Sequence, residues 1–517
     1  MFEISVACKY LVPRARYLSV SIISIISVLV IATVVWLTVV FFSATEGLER
    51  RWTEKLISIT APVRVLPTDA YYQSYYYLID TISEASHYTA KTLLEKLDSQ
   101  KSDPYNPAVD SLPDDFPQPL YNKEGQLVDL VKEAYKASTS VRGVSQLTAD
   151  VFETAFANVK MQLAREIPDS GGAMEVRILS KDTYLTNFDP ENTILSTILL
   201  PLSDADRKHL ETLYHTKEIS DFIIKEKNGI WQLPETSFGQ GVLLPKSFQE
   251  NGVFVGDRGT FSYYTPTATA LQEQFIPFVV AGFYDPGIIP IGGKLILVKE
   301  GAVAQIAAAS HASPSDFPTG LNVRFPDYTQ AAVVQKSIQQ ALKAAHIAPY
   351  FSVETYTDYD FTKDIFQQLK SEKNLFSLIS LIVVIVACSN IISMLIILIH
   401  DKKKEIAIMR ALGASKASIG CIFGISGLCM GAAGSVIGAL AAYFTVKNLG
   451  TLLAFLGKLQ GFDVLNAAFY GTTIPTEVSE YALVFVISAT IIISCLAGIC
   501  SASIACRQNT SEALRAE

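Results

Sequence analysis

The sequence predicts an α-helical membrane protein with four transmembrane helices and a large α+β extracytoplasmic domain. Three observations carry this reading. Four runs, 17–45, 374–400, 417–446 and 481–506, contain no Asp, Glu, Lys or Arg, and each exceeds the roughly 20 apolar residues that cross a bilayer core. Basic residues gather in some of the short flanks of these runs and not in others. Between the first and second runs lies a long segment, 46–373, with the mixed helical and strand periodicities of a water-exposed domain. The totals agree, with 50% hydrophobic and 18% charged residues in a chain of 517 and a mean hydropathy of +0.29. The net charge of −8 argues against a nucleic-acid partner, because binding a phosphate backbone needs basic surface.

Orientation follows from the flanks. Lys9, Arg14 and Arg16 precede the first run; Lys402, Lys403, Lys404, Arg410 and Lys416 sit between the second and third; Arg507 and Arg515 follow the fourth. The 447–480 connection offers only Lys447 and Lys458. The positive-inside bias therefore places an N-terminal segment 1–16, a loop 401–416 and a tail 507–517 in the cytoplasm, and both 46–373 and a loop 447–480 outside. The first run is about twice the length of a signal h-region, which spans roughly 7–15 residues, so it is expected to remain in the mature protein. All seven cysteines (Cys8, Cys388, Cys421, Cys429, Cys495, Cys500, Cys506) lie in spans or cytoplasmic flanks. The outer segment must then fold without disulfides or thiolate metal sites.

Along the outer segment, "EGLERRWTEKLI" continues the first helix as a stalk, and "APVRVLP" at 61–67 reads as a strand. Residues 68–170 read as a mostly helical insertion, broken by "SDPYNPAVDSLPDDFPQPLYN", whose five prolines favour an extended loop. Its tyrosines, Tyr71, Tyr72, Tyr75, Tyr76 and Tyr77, suit a packed helix face, with a grip on an acyl chain or peptide as the other possibility. Residues 175–310 read as a β-rich subdomain of short runs such as "GVLLPKSF", "GTFSYYTPT" and "FIPFVVAGFYDPG". Next, "GLNVRF", then Val334, Ile338, Leu342 and Ala345 at helical spacing, then "FSVETY", make a strand-helix-strand unit over 320–357 that 61–67 completes. Phe361, Ile365 and Leu369 recur every fourth residue as a second stalk leads into 374–400.

Chemistry is sparse. "GIIPIGGKL" at 287–295 has the wrong Gly-to-Lys spacing for a P-loop and Leu295 where a Ser or Thr must hold magnesium, so it reads as a turn before a strand. There is no H-E-x-x-H and no G-x-S-x-G, and His87, His209, His215, His311, His346 and His400 show no metal-ligand spacing. Catalytic residues, metal ligands and a cofactor bound by this chain are all expected to be absent. The spans hold no Asp, Glu, Lys or Arg of the kind that couples ion carriers, so energy should come from elsewhere.

The loop "HDKKKEIAIMRALGASKASIGCIF", 400–423, is the most suggestive stretch. Its lysines suit a helix C-terminus and an anionic inner leaflet. A short helix begins near Glu405 and ends at Gly413, and Ser415 caps the third span. On that helix Ile406, Met409 and Gly413 share one face, and Ile408 and Leu412 another. One apolar face can rest on the chain's own spans; the second needs a partner protein or the lipid interface. In the third span Gly420, Gly424, Gly427, Gly431, Gly434 and Gly438 recur at spacings of four and three. They form a small-residue stripe for close helix packing, inside this bundle or against another subunit.

The segment "SEKNLFSLISLIVVIVACSNIISMLIILIHDKKKEIAIMRALGASKASI", with "CKYLVPRAR", "SATEGLERRWTEKLISITAPV" and "TSEALRAE", resembles the permease subunits of the lipoprotein-releasing ABC transporter family (LolC/LolE), of the MacB/FtsX permease superfamily. The resemblance implies a non-catalytic subunit of the bacterial inner membrane with cytoplasmic termini, its strand-helix-strand part porter-like. A coupling helix would dock on a separate ABC ATPase, which binds the ATP and magnesium, through Glu405, Ile406, Met409, Arg410, Leu412 and Gly413. A second permease, identical or paralogous, would complete the assembly. The cargo would be a lipoprotein passed to a periplasmic carrier, its acyl chains entering between spans one and two, where Trp36, Phe41, Phe42 and Phe376 are mouth candidates. "TPTATALQEQFIPF", 265–278, resembles a carrier-docking hairpin, whereas 68–170 matches nothing in the family. An FtsX-like transducer that activates a periplasmic cell-wall hydrolase without transport is the alternative.

Overall fold

The computed structural model describes residues 18–122, 124–166, 174–190, 195–214, 221–227, 229–266, 270–287, 293–309, 319–401, 406, 408–409, 412–460 and 478–505. Its elements in chain order begin with α1 (Leu18–Ile59), β1 (Val63–Pro67), α2 (Asp69–Tyr72), α3 (Tyr75–Ile82), α4 (Leu93–Asp98) and α5 (Leu130–Thr139). There follow β2 (Thr148–Phe152), β3 (Thr154–Glu166), β4 (Met174–Asn187), α6 (Leu195–Ile198), α7 (Asp204–Tyr214), β5 (Lys225–Lys227), β6 (Ile230–Gln232), β7 (Glu235–Thr236) and β8 (Gly239–Pro245). After α8 (Lys246–Gln249) come β9 (Arg258–Pro266), β10 (Leu271–Tyr284), β11 (Leu295–Val298), α9 (Glu300–Ala309), β12 (Gly320–Arg324), α10 (Ala331–Ala344) and β13 (Phe351–Thr355). The chain closes with α11 (Asp360–Asp401), α12 (Lys416–Lys447), α13 (Leu449–Gln460) and α14 (Glu480–Ala505). Two compact units form: a membrane unit of 1–51 with 367–517, and an outer unit of 52–366.

In the outer unit a four-stranded sheet has the order β13-β1-β12-β2. The central pairings are antiparallel, Val63 facing Thr355 on one side and Val323 on the other. Val63 and Val65 turn one face of β1 to the core, and α10 answers with Val334, Ile338 and Leu342 at every fourth residue. The same core takes in Tyr71, Tyr76, Leu93, Leu130 and Ala134 from α2 to α5, so the insertion packs on this sheet. Thr92 and Glu95 form a capping box at α4, and Asp129 caps α5 through the Lys132 amide. The tyrosines are mostly core: Tyr71, Tyr75 and Tyr76 are buried, and the Tyr71 ring lies 5.6 Å from that of Phe351.

The second body is a ring of strands. The order β10-β9-β3-β4-β11-β8 closes because β10 also pairs with β8 in parallel, leaving β7 on an edge. Ala155, Ala157, Val159, Met161 and Leu163 alternate inward from β3 and meet Phe261, Phe278, Val280 and Val298.

The expectation of a mostly helical 68–170 needs correcting. Helices occupy only its first part, to Thr139; β2 and β3 fill 148–166, β2 as an edge of the four-stranded sheet and β3 as a wall of the ring. The β-rich body therefore starts at Thr154, before 175. Of the P-loop-like stretch, 288–292 lie outside the described residues, and β11 begins at Leu295.

In the membrane unit three helices among the described residues are long and apolar enough to cross a bilayer, Ile25–Ile59, Ala417–Lys447 and Ala482–Ser501. The charge-free run 374–400 lies wholly within the 42-residue α11. The 447–480 connection is not all loop, because α13 occupies Leu449–Gln460; 461–477 lie outside the described residues. So do 1–17 and 506–517, with the expected cytoplasmic segment and tail.

Candidate functional site

The segment between α11 and α12 has two unlike faces. Residues 406 and 408–409 are helical, the Leu412 amide bonds the Ile408 carbonyl at 3.0 Å, and the Ala414 amide bonds the Met409 carbonyl at 3.0 Å. Gly413 ends the turn with φ +99°, a conformation that costs a glycine nothing and other residues strain. Ser415 then accepts from the Ser418 amide and starts α12.

Ile406 is 8% exposed and belongs to the bundle's apolar core with Val35, Leu395 and Phe423, and Met409 packs on its edge. Ile408 is 52% exposed and Leu412 83%. The segment is thus anchored by Ile406 and Met409, and it presents Ile408 and Leu412 outward. Glu405 and Arg410 lie outside the described residues. Ile408 is not among the contact residues that the family resemblance implies, yet its spacing of four from Leu412 places the two on one exposed face.

The glycine stripe makes contacts within the unit. A Cβ on Gly427 would lie 2.4 Å from the Ser494 carbonyl, and one on Gly431 2.6 Å from the Ser494 side chain, both on α14. Gly424 meets Ile499 of the same helix. Gly434 and Gly438 turn to α1, against Ile31 and against Ala32 and Val35, while Gly420 faces open space. One stripe therefore admits two neighbours, α14 near its start and α1 near its end.

Of the mouth candidates, Phe41 and Phe376 bring α1 and α11 together, their ring centroids 3.9 Å apart at 43°. Phe42 sits edge-on to Phe41 at 6.2 Å. Trp36 is turned away to α12, where its Nε1 donates to Thr445 Oγ1 at 2.9 Å. An indole N–H in apolar surroundings needs such a partner, and a residue five positions from Phe41 lies on another helix face. Further along the two helices Lys373 pairs with Glu49 at 2.6 Å. The backbone amide of Ser479, just before α14, donates to Ser43 Oγ on α1 at 3.1 Å.

In the β9–β10 hairpin, which holds the 265–278 stretch, pairing runs out to Pro266 facing Leu271, with Leu271 and Phe275 exposed; 267–269 lie outside the described residues. Among the described residues no group of three or more His, Cys, Asp and Glu could hold a metal.

Residues 377–510, 134 of the 517, match the FtsX-like permease C-terminal domain model, so the membrane unit carries a permease domain of that class. The particular likeness is to lipoprotein-releasing system transmembrane proteins. The chain is 27% identical to LolC of Haemophilus influenzae over 189 residues, 36% of this chain and 45% of that protein. It is 24% identical to LolC of Neisseria meningitidis serogroup B over 271 residues, 52% and 62% of the two chains. Against LolE of Haemophilus influenzae it is 34% identical over 138 residues, 26% and 33%. The matches to the LolC proteins thus span 45% to 62% of the relatives' length.

Proposed function

We propose that this chain is the permease subunit of an ATP-driven complex that extracts lipoproteins from the bacterial inner membrane toward a periplasmic carrier. The observation that carries the reading is the two-faced segment after α11. Its inner face is fixed in the bundle through Ile406, so its outer pair, Ile408 and Leu412, can transfer movement of a bound partner to α11 without slack. An exposed apolar pair on a rigid knuckle suits a hydrophobic groove in a partner protein. The partner is a cytoplasmic ABC ATPase that binds ATP and magnesium, and a second permease, the same or paralogous, completes the complex. The cargo class is that of the similar LolC and LolE proteins, transmembrane proteins of lipoprotein-releasing systems.

In this reading α11 spans the membrane as a fourth helix, with both chain ends in the cytoplasm and the chain itself non-catalytic. Glu405, Arg410 and Gly413 complete the ATPase contact beside Ile408 and Leu412. Cargo acyl chains enter beside Phe41, Phe42 and Phe376, and the β9–β10 hairpin offers its exposed Leu271 and Phe275 to the carrier.

Leu412→Glu tests the dock. It puts a charge on the exposed face and leaves the Ile406 anchor untouched, so the variant should insert and fold normally but lose ATPase co-purification. Ile406→Glu should instead destabilise the bundle itself. Retained co-purification with Leu412→Glu rejects the docking face. The cargo assignment is tested in proteoliposomes with a labelled lipoprotein and a carrier, where release must require ATP.

A further inference from the structure

In the outer unit the chain leaves α1 at Ile59 and starts α11 at Asp360, and the segments next to these two points are fastened to each other. β1 and β13 pair in register over five residues, from Val63 with Thr355 to Pro67 with Phe351. Beyond the ladder the Tyr356 amide bonds the Pro62 carbonyl at 3.1 Å. The Tyr359 hydroxyl, itself buried, donates to the Ala61 carbonyl at 2.6 Å.

Arg64 lies against this joint. It is 7% exposed, its guanidinium carbon is 4.0 Å from the centroid of the Phe152 ring and 5.0 Å from that of Tyr359, and its Nε donates to Asn322 Oδ1 at 3.0 Å. Burial pushes its pKa down, so the position carries a desolvation cost that an aliphatic residue would avoid. Across the strands Arg64 stands opposite Glu354 and Asn322, and Asn322 opposite Asp150. One polar row therefore crosses the whole sheet at the level of the two helix roots. Cation–π contact with rings from two different segments holds both by a single side chain.

We propose that β1 and β13, pinned by Arg64 and Tyr359, form a permanently closed clasp that keeps the outer roots of α1 and α11 at one fixed separation through the working cycle. The proposal rests on the transport reading for its effect on release but not for its geometry. Arg64 and Tyr359 are positioning residues in it, and neither touches cargo.

Two measurements test the clasp in the assembled full-length complex. The first places spin labels at Glu54 and Lys363, with the seven native cysteines replaced by alanine. The distance distribution should be single and narrow with and without ATP, and should broaden in Arg64→Met and Tyr359→Phe. A wild-type distance that shifts with ATP, or variants that leave it unchanged, would overturn the clasp.

The second follows ATP hydrolysis and lipoprotein release together in proteoliposomes. Arg64→Met should keep hydrolysis within about twofold while release falls about tenfold, a loss of coupling within the usual range. A merely structural role would lower both alike. Val65 and Val353 are paired opposite each other, and the Tyr356–Pro62 bond makes theirs one of the closer, non-hydrogen-bonded positions of the ladder. A Val65→Cys/Val353→Cys disulfide should therefore restore release to Arg64→Met and be harmless in the wild type. Release lost on oxidation and regained with reductant would show that the joint opens, which contradicts the proposal. No release from the wild-type complex would sink the transport reading alone, because the spin-label distances still decide the clasp.

Discussion

At the scale of single residues, the glycines of α12 show how identical letters at regular spacing can have different jobs. Gly427 lies where a Cβ would stand 2.4 Å from a backbone carbonyl of α14, an atom that cannot step aside as a flexible side chain can. Gly427→Ala must push the helices apart, at a cost of about 1–3 kcal/mol for overpacking. Gly420 has nothing within 4 Å, so Gly420→Ala should be neutral or stabilising by about 0.5–1 kcal/mol from helix propensity. Thermal unfolding in detergent separates the two, and equal effects would mean that α12 and α14 do not pack this closely. The stripe could be read in the sequence, but not the division of its contacts between α14 and α1, which depends on where each neighbour crosses the helix. The same holds for the segment after α11. Its two apolar faces were legible from spacing alone, whereas only packing decides that the Ile406 face is anchored and the Leu412 face exposed.

At the scale of elements, legibility followed the strength of periodicity. α10, with bulky apolar residues at every fourth position, and β13, with Phe351 and Val353 buried in alternation, follow directly from sequence pattern. β3 alternates as strictly, but two of its inward residues are Ala and its other positions include Met, Gln, Leu and Arg, good helix formers that obscure a period of two. Partners across the ring overrode that propensity. Ties between elements were not legible, and the buried Asp257 is the clearest case. It accepts from Arg165 at the end of β3, from His209 of α7 at 2.8 Å and from the Phe254 amide at 2.8 Å.

Burial pushes the Asp257 carboxyl up, but the hydrogen bonds from His209 and Arg165 outweigh it and hold the group below its ordinary value of 3.8. A carboxylate with a lower pKa in the folded than in the unfolded chain adds stability above the unfolded value and loses it as pH falls through the folded one. The outer unit should therefore weaken as pH drops below about 4. Asp257→Asn should cost about 1.5–3 kcal/mol at neutral pH, because the charge-assisted hydrogen bonds from Arg165 and His209 lose their anionic acceptor, and should flatten the acid limb of the stability curve. Melting the full chain from about pH 3, below the ordinary carboxylate pKa values, to about pH 7, well above them, checks this, and an acid limb as steep in the variant as in the wild type would contradict it.

At the scale of the whole molecule, the number of crossings decides which compartment each loop occupies. Three helices meet the length and hydropathy demands of a span among the described residues, and α11 is the open case. Its charge-free stretch of 27 residues, 374–400, would be about 40 Å long at 1.5 Å per residue, more than the roughly 30 Å hydrocarbon core. Leu378, Ile379, Leu381, Ile382, Ile385 and Val386 are exposed along it within the described residues, a surface that water would not tolerate and lipid would cover. With α11 crossing, the outer unit and the lysine-bearing stretch after Asp401 lie on opposite sides, in keeping with the positive-inside bias. Without it they share a side, and a residue in each would react alike. Single cysteines introduced at Glu95, at the base of α4, and at Ser415, at the start of α12, in a background with the native cysteines replaced, distinguish these arrangements. A membrane-impermeant maleimide added to intact spheroplasts should label the first and spare the second until the membrane is opened. Labelling of both in intact spheroplasts would require three crossings and would leave the Leu412 face on the wrong side of the membrane for an ATP-hydrolysing partner.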